Sequence, residues 1–143
     1  MTDLELAYIA GIVDGEGYIS IITNSYITRY GNPGKQRIMR AGVGMTNPVI
    51  PMMLREAYGG TISFRKNGEL WKDRYDWNIY SKKALVFLKD ILPYLIIKKE
   101  QAELAIQFQE SKVVGVHLGL YEDIVQEVRQ LKIQELNKRG KTA

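Results

Sequence analysis

The sequence contains no cysteine and a single histidine, His117. These absences exclude disulfide bonds, thiolate sites and a multi-histidine zinc site within one chain. Any bound metal is therefore expected to be a hard cation held by oxygen atoms. The longest apolar runs, at 6–13 and 91–97, are far shorter than the roughly 20 residues that a membrane helix needs. No signal-peptide pattern is recognisable either, so we expect an intracellular protein, neither secreted nor membrane-bound, of the cytoplasm, nucleoid or an organelle matrix.

The chain has 143 residues, of which 45% are apolar and 25% are charged. This length and composition are typical of one soluble globular domain, here 1–143, with a frayed tail at about 138–143. No internal repeat is recognisable. We therefore expect one copy of one fold in each chain.

Acidic residues are absent from the segment between Gly17 and Arg55. Basic residues do occur in it, although the net charge of the whole chain is only +4. A concentrated positive field of this kind favours a polyanionic partner such as nucleic acid. The alternative is an ordinary solvated basic surface. The basic residues of this segment are Arg29, Lys35, Arg37, Arg40 and Arg55.

The order of the predicted elements is αββαββα followed by a further helix, which is an α+β fold. The capping-box residues Thr2 and Glu5 open the first helix, and Asn47 is a predicted N-cap before Pro48. Alternating segments with turns at YGNPGK and NGEL predict two hairpins. The predicted helices cover 3–14, 48–58, 82–92, 98–111 and 120–137, and the strands lie within 18–46, 61–66 and 71–80.

Side chains alternate along these strands, which predicts one buried and one solvent-facing side of the sheet. The predicted core side carries Met39, Ala41, Val43, Met45, Ile62, Phe64, Tyr75, Trp77 and Ile79. Polar side chains on the opposite side could read base edges or bind phosphates, whereas ordinary solvated side chains are the alternative. The predicted DNA-binding residues are Ser20, Ile22, Asn24, Gln36, Ile38, Arg40, Gly42, Gly44, Ser63, Arg65, Arg74, Asp76 and Asn78.

The first helix contains small residues at helical spacing, namely Ala7, Ala10, Gly11 and Asp14. A glycine inside a helix costs about 1 kcal/mol relative to alanine, so Gly11 requires a compensating reason. Close packing against the same helix of a second copy provides one. We therefore predict a homodimer with these four residues at its interface.

Two copies of Glu16 would then lie close together, and their repulsion would be relieved by a bridging cation. Mg²⁺ fits such a site because it takes oxygen ligands together with substrate phosphate, and paired metals promote phosphodiester hydrolysis. The alternative is that the DGEG segment, 14–17, is simply a helix end with solvent-facing acids.

The segment IAGIVDGEG, at 9–17, resembles the LAGLIDADG signature of homing endonucleases. The segments VGMTN, YGGTISF and LPYLIIKKEQAEL also resemble that family in order and spacing. The single signature is similar to the homodimeric branch. The resemblance implies an antiparallel saddle-shaped sheet with helices on one face, and site-specific double-strand cleavage of a long, partly palindromic DNA target with divalent metal.

The resemblance also implies residue roles. Glu16 matches a metal-binding catalytic acid that is more often Asp, and Gly15 would offer a carbonyl near the metal. Asp14 matches an acid that helps to cap the partner helix and line the interface. Lys98 matches a catalytic lysine, and Asn47 matches a polar residue that orders water, although Asn47 is equally an N-cap. Mg²⁺ is the implied cofactor, with Mn²⁺ expected to substitute and Ca²⁺ to bind without supporting cleavage.

Two other functions remain open. Relatives of this family act as RNA-binding intron maturases without cutting DNA, and a basic DNA-binding dimer with a degenerate metal site is also possible. Glu16 and Lys98 favour the nuclease, because neither binding role needs an acid that faces a metal. The resemblance further suggests an intron-encoded protein.

Overall fold

The structure, a computed structural model, describes residues 1–66, 68–69, 72–112 and 120–139. The element order confirms the predicted α+β fold. The helices are α1 (Asp3–Glu16), α2 (Val49–Tyr58), α3 (Ser81–Ile91), α4 (Lys99–Glu110) and α5 (Leu120–Arg139), with a short 3-10 helix at Leu92–Tyr94. The strands are β1 (Gly17–Ile27), β2 (Pro33–Met45), β3 (Thr61–Arg65) and β4 (Arg74–Tyr80). Within the described ranges, no helix is both long enough and apolar enough to cross a membrane.

Helix α1 begins with the predicted capping box. The Thr2 hydroxyl accepts the Glu5 amide at 3.1 Å, and the Thr2 amide donates to the Glu5 carboxylate at 3.2 Å. At its other end α1 passes directly into β1 at Gly17. A Cβ at Gly17 would lie only 2.8 Å from the Val13 Cα and 3.1 Å from the Gly42 carbonyl oxygen. Glycine is therefore required where the helix turns into the strand.

The four strands form one antiparallel sheet in the order β1-β2-β4-β3. One side of the sheet packs against the helices and forms the core, in which Trp77 and Phe87 make an edge-to-face contact at 5.0 Å. The sheet therefore has one side covered by helices and one open side, as the alternation predicted.

Helix α5 covers the edge of the sheet at β1. The Gln130 side chain, only 7% exposed, donates to the Ile21 carbonyl oxygen at 2.9 Å, and the Asn137 amide donates to the Ile19 carbonyl oxygen at 3.1 Å. Two side-chain amides thus satisfy backbone carbonyls that an edge strand leaves unpaired. Helix α5 extends to Arg139, two residues beyond the predicted end at 137.

Other predictions need smaller corrections. Helix α1 continues to Glu16, α2 begins at Val49, and β4 begins at Arg74. Phe64 does not belong to the core: it is 55% exposed and contacts Tyr75 with ring centroids 5.4 Å apart. Its strand β3 is the other edge of the sheet, where fewer helices lie beneath it. Asn67, Leu70 and Trp71 of the second predicted hairpin, His117, and the end of the predicted tail at 140–143 lie outside the described residues.

Candidate nucleic-acid interface and acidic site

Asp14, in the last turn of α1, forms hydrogen bonds with the backbone at the start of α4. Its carboxylate accepts the backbone amides of Ile96 at 2.9 Å, Ile97 at 3.1 Å and Lys98 at 2.9 Å. These are amide donors of the segment that leads into α4, which has no side-chain cap of its own. We expected this carboxylate to cap a helix of the partner, whereas the structure shows it occupied by its own chain. Its position at a dimer interface stays a prediction.

Lys98 contacts the C-terminal end of α1. Its Nζ donates to the Asp14 carbonyl oxygen at 2.7 Å. Burial lowers the pKa of Lys98, while the nearby carboxylates of Asp14 and Glu16 oppose that shift. Lys98 therefore lies in the electrostatic field of both carboxylates, and its catalytic role stays a prediction.

Glu16 is the last residue of α1 and has an exposed side chain. Gly15 precedes it, and a Cβ added there would meet no atom within 4 Å. The final carbonyls of a helix lack intrahelical partners and carry partial negative charge. The potential metal ligands are thus the exposed Glu16 carboxylate and the carbonyl oxygens at the end of α1. Oxygen ligands of this kind suit a hard cation. Within the described part of the chain, no group of three or more His, Asp or Glu residues is placed to hold a metal.

Asn47 follows the end of β2. Its Oδ1 accepts the Val49 amide at 2.9 Å, so the side chain caps α2. The Asn47 Nδ2 amide is not used in this contact and can donate hydrogen bonds. Because β2 ends beside the start of β1, Asn47 lies at the end of the first hairpin where α1 meets the sheet. Its role in ordering water stays a prediction.

The outward side of α1 differs from the predicted small-residue stripe. Ala10 is completely buried in the core of its own chain, so the prediction that it lies at a dimer interface is wrong. Successive residues of an α-helix are about 100° apart, and Ala10 is one step from Gly11 towards the core. The exposed side instead carries Leu4, Ala7, Tyr8, Gly11 and Gly15.

This exposed side of α1 is apolar and open. Leu4, Tyr8, Ile96 and Ile97 are between 62% and 84% exposed. A Cβ added at Gly11 would meet no atom within 4 Å, so nothing in this chain requires a glycine there. We call this surface, made by Leu4, Ala7, Tyr8, Gly11, Gly15, Ile96 and Ile97, the α1 surface.

All thirteen predicted DNA-binding residues lie on the open side of the sheet, which we call the polar face. The register pairs Ser20 with Arg40, Asn24 with Gln36, and Asp76 with both Gly44 and Ser63. Three buried atoms of this face have no hydrogen-bond partner among the described residues: Ser20 Oγ, Arg40 Nε and Arg74 Nε. Such groups are uncommon in folded proteins, and a ligand with matching polar groups would satisfy them.

Two of the three arginines of the polar face lie beside the Asp76 carboxylate. Arg65 contacts the Asp76 carboxylate at 2.8 Å, and Arg74 lies 4.0 Å from its other oxygen. Arg74 also donates to the Gly44 carbonyl oxygen at 2.9 Å. By contrast, Arg37 lies on the covered side of the sheet and pairs with Asp123 of α5 at 2.6 Å. One of the five cations in the acid-free segment is therefore committed to the fold.

Sequence reasoning missed Tyr18 as a member of the polar face. Its hydroxyl hydrogen-bonds the Asn78 side chain, and the Arg40 guanidinium lies 5.1 Å from the centre of its ring. The alternation that selected Ser20, Ile22 and Asn24 also extends back to Tyr18, so the signal was present.

No family model matches the chain, and no curated protein matches it. Solved structures do. The homing endonuclease I-CvuI, in complex with the I-CreI target in 2 mM Mg with the DNA not cleaved, is 23% identical over 93% of this chain and 82% of that chain, with a TM-score of 0.71. I-CvuI with its own target in 2 mM Ca also matches. The archaeal intron-encoded homing endonuclease I-Vdi141I, complexed with DNA, is 20% identical over 94% of this chain and 84% of that one, with a TM-score of 0.71.

The LAGLIDADG homing endonuclease I-SmaMI, bound to cleaved DNA, gives a TM-score of 0.63 at 19% identity, and the match spans 85% of this chain but only 41% of that chain. Identities this low establish similarity of fold. The chain thus has the fold of the LAGLIDADG homing endonucleases.

Proposed function

We propose that this protein is a site-specific DNA endonuclease that acts as a homodimer and hydrolyses phosphodiester bonds with a divalent metal. The observation that carries the proposal is the position of Glu16. Its exposed carboxylate stands where α1 enters the sheet, two residues before Tyr18 of the polar face, and in the field of Lys98. An acid suited to a cation thus adjoins a surface suited to DNA.

The polar face is the proposed DNA-binding surface. It carries three arginines, and buried donor atoms of two of them have no partner among the described residues. A two-stranded β-ribbon fits the DNA major groove, and arginine is the commonest side chain for reading guanine there. The fold neighbours I-CvuI and I-Vdi141I are described in complex with DNA, which supports the same partner for this chain. A long, partly palindromic target follows from two copies of such a face.

The homodimer is supported by the α1 surface. Gly11 and Gly15 of its helix face open space, although Gly11, in the helix interior, costs about 1 kcal/mol relative to alanine. Exposed apolar residues lie around them, and such patches are typical of interaction sites. The chain also matches less than half of I-SmaMI, so a polypeptide of that length has room for two such units. A second copy supplies the second unit here.

Glu16 and the Gly15 carbonyl are the groups proposed to hold Mg²⁺, with a second Glu16 from the partner copy. Bound there, the metal would activate water and stabilise the leaving oxygen. Mn²⁺ is expected to substitute, and Ca²⁺ to bind without supporting cleavage. Lys98, positioned by its bond to the Asp14 carbonyl, places a cation beside the phosphate, and Asn47 offers its Nδ2 amide to water.

Cleavage of a plasmid library tests the proposal. Wild-type protein with Mg²⁺ is expected to produce double-strand ends at one recurrent sequence, identified by sequencing the cut ends. Glu16→Gln keeps the side-chain shape but removes the charge, so cleavage should fall by orders of magnitude while DNA binding without metal persists. Cutting by Glu16→Gln at the wild-type rate would refute the catalytic role. Tight binding of a structured intron RNA, with no DNA cleavage in any divalent metal, would establish the maturase alternative.

A further inference from the structure

Two isoleucines stand opposite each other on the polar face, in the middle of the first hairpin. The register pairs Ile22 of β1 with Ile38 of β2. The adjacent residues Ile21 and Met39 are buried on the helix-covered side, so both isoleucines lie on the open side. Both are partly exposed, and the Cβ atoms of directly opposite residues are about 5 Å apart. They therefore form one small apolar patch, which we call the isoleucine pair.

Polar side chains border the isoleucine pair at both ends. The register places Ser20 opposite Arg40 on one side of it and Asn24 opposite Gln36 on the other. Cross-strand packing of β-branched residues stabilises a sheet, and this contribution to stability is one explanation for the pair. Its position between hydrogen-bonding residues of the proposed DNA-binding surface gives a second explanation, in which the pair contacts a base.

The base edges in the major groove include a single kind of apolar group. Thymine presents its C5-methyl there, whereas guanine, adenine and cytosine present hydrogen-bonding groups. An isoleucine side chain neither donates nor accepts, so over a polar base edge it would displace water without replacing the lost hydrogen bonds. Over a thymine methyl it would remove apolar surface of both groups from water, which is favourable.

We propose that the isoleucine pair selects thymine, through the C5-methyl, at one position of each half-site, the half of the target that one copy of the protein binds. This role rests on the proposed DNA-binding function and names one base that the polar face reads. Ile22 and Ile38 are thus specificity-determining residues.

Removal of the methyl group from the DNA tests this role directly. Uracil has the hydrogen-bonding edge of thymine but lacks the C5-methyl. The target is first identified by selection of bound duplexes from a randomised DNA library, and each of its thymines is then replaced by uracil in turn. Competition binding followed by fluorescence anisotropy, without divalent metal so that no cleavage occurs, measures the affinity for each duplex.

One thymine in each half-site is expected to respond. Its replacement by uracil should weaken binding roughly fourfold, which corresponds to about 0.8 kcal/mol for one buried group of this size. Replacement in both half-sites should weaken binding roughly fifteenfold, because the effects of distant sites add. At the same position, 5-methylcytosine should bind roughly fourfold more tightly than cytosine, since it restores the methyl and leaves the cytosine edge unchanged.

Protein variants connect the methyl effect to the isoleucine pair. Ile22→Ala and Ile38→Ala shorten the two side chains, and at least one of them should bring the affinities for the thymine and uracil duplexes close together. Ile27→Ala is the matched control, because Ile27 is 77% exposed on the same strand but lies on the other side of the sheet. This variant should keep the fourfold difference. Each comparison is a ratio within one variant, so a general loss of affinity does not alter it.

Two results would overturn the proposed role. A target in which no thymine is sensitive to uracil would show that no methyl is read, which leaves sheet stability as the explanation for the isoleucine pair. A uracil effect that persists unchanged in both Ile22→Ala and Ile38→Ala would place the methyl contact elsewhere on the protein. Either outcome leaves the proposed endonuclease standing, whereas a wild-type protein that enriches no sequence at all would refute the proposed function as well.

Discussion

Asp14→Asn is expected to destabilise the fold without removing the metal-facing acid. In the wild type, one carboxylate oxygen accepts the Ile96 amide and the other accepts the amides of Ile97 and Lys98. Asparagine retains one oxygen, but its NH₂ group then faces an amide donor. One hydrogen bond to a charged group, about 1.5–3 kcal/mol, is lost, and two others become neutral and weaker. Since the site is only half-buried, we expect a total loss of about 2–3 kcal/mol.

Urea denaturation followed by far-ultraviolet circular dichroism, at one protein concentration, measures this loss. Glu16→Gln is the matched control, because it makes the same chemical change two residues along the chain at an exposed side chain. Its unfolding free energy should stay within about 0.5 kcal/mol of wild type, although its cleavage activity should be lost. Equal stability of Asp14→Asn and Glu16→Gln would refute the reasoning that Asp14 anchors the start of α4.

Three further predictions concern the dimer, the polar face and the edge of the sheet. Gly11→Leu should convert a dimer into a monomer by light scattering, since a bulky side chain overpacks the α1 surface, and a stable wild-type monomer would contradict the shared site. Arg40→Ala should relax preference at one position per half-site by roughly 1–3 kcal/mol in competition binding, whereas a uniform loss would indicate a phosphate contact. Gln130→Met should lower the unfolding free energy by about 1–3 kcal/mol by leaving the Ile21 carbonyl unsatisfied, while the exposed Gln134→Met should have little effect in the same urea titration.

The two sides of the sheet could be predicted from the sequence because strand alternation has a period of two. One known side chain then assigns every neighbour to a side, so most of the polar face was identified. The register adds five residues that were missed, namely Tyr18, Tyr26, Gly34, Thr61 and Tyr80. The capping box was equally readable, since its two residues must stand three apart. Local rules of this kind need no knowledge of distant parts of the chain.

The wrong predictions concern features that depend on contacts with residues far away in the sequence. Whether Phe64 is buried depends on how far the helices extend over an edge strand. The role of Asp14 depends on amides more than eighty residues away. No periodicity encodes these contacts. Ala10 was misplaced for a different reason, because neighbouring helical positions differ by about 100° and both held small residues.

The three glycines near the acidic site show the difference between local and distant constraints. Gly17 is required by its own chain, since a Cβ would contact Val13 and the backbone of β2. Gly11 and Gly15 face open space, so the single chain offers no reason for either. In the proposed homodimer, a second copy of α1 at close range would pack against these glycines and would also bring a second Glu16 to the site. The proposed dimer would thus explain both the presence of glycine in the helix and the assembly of the proposed metal site.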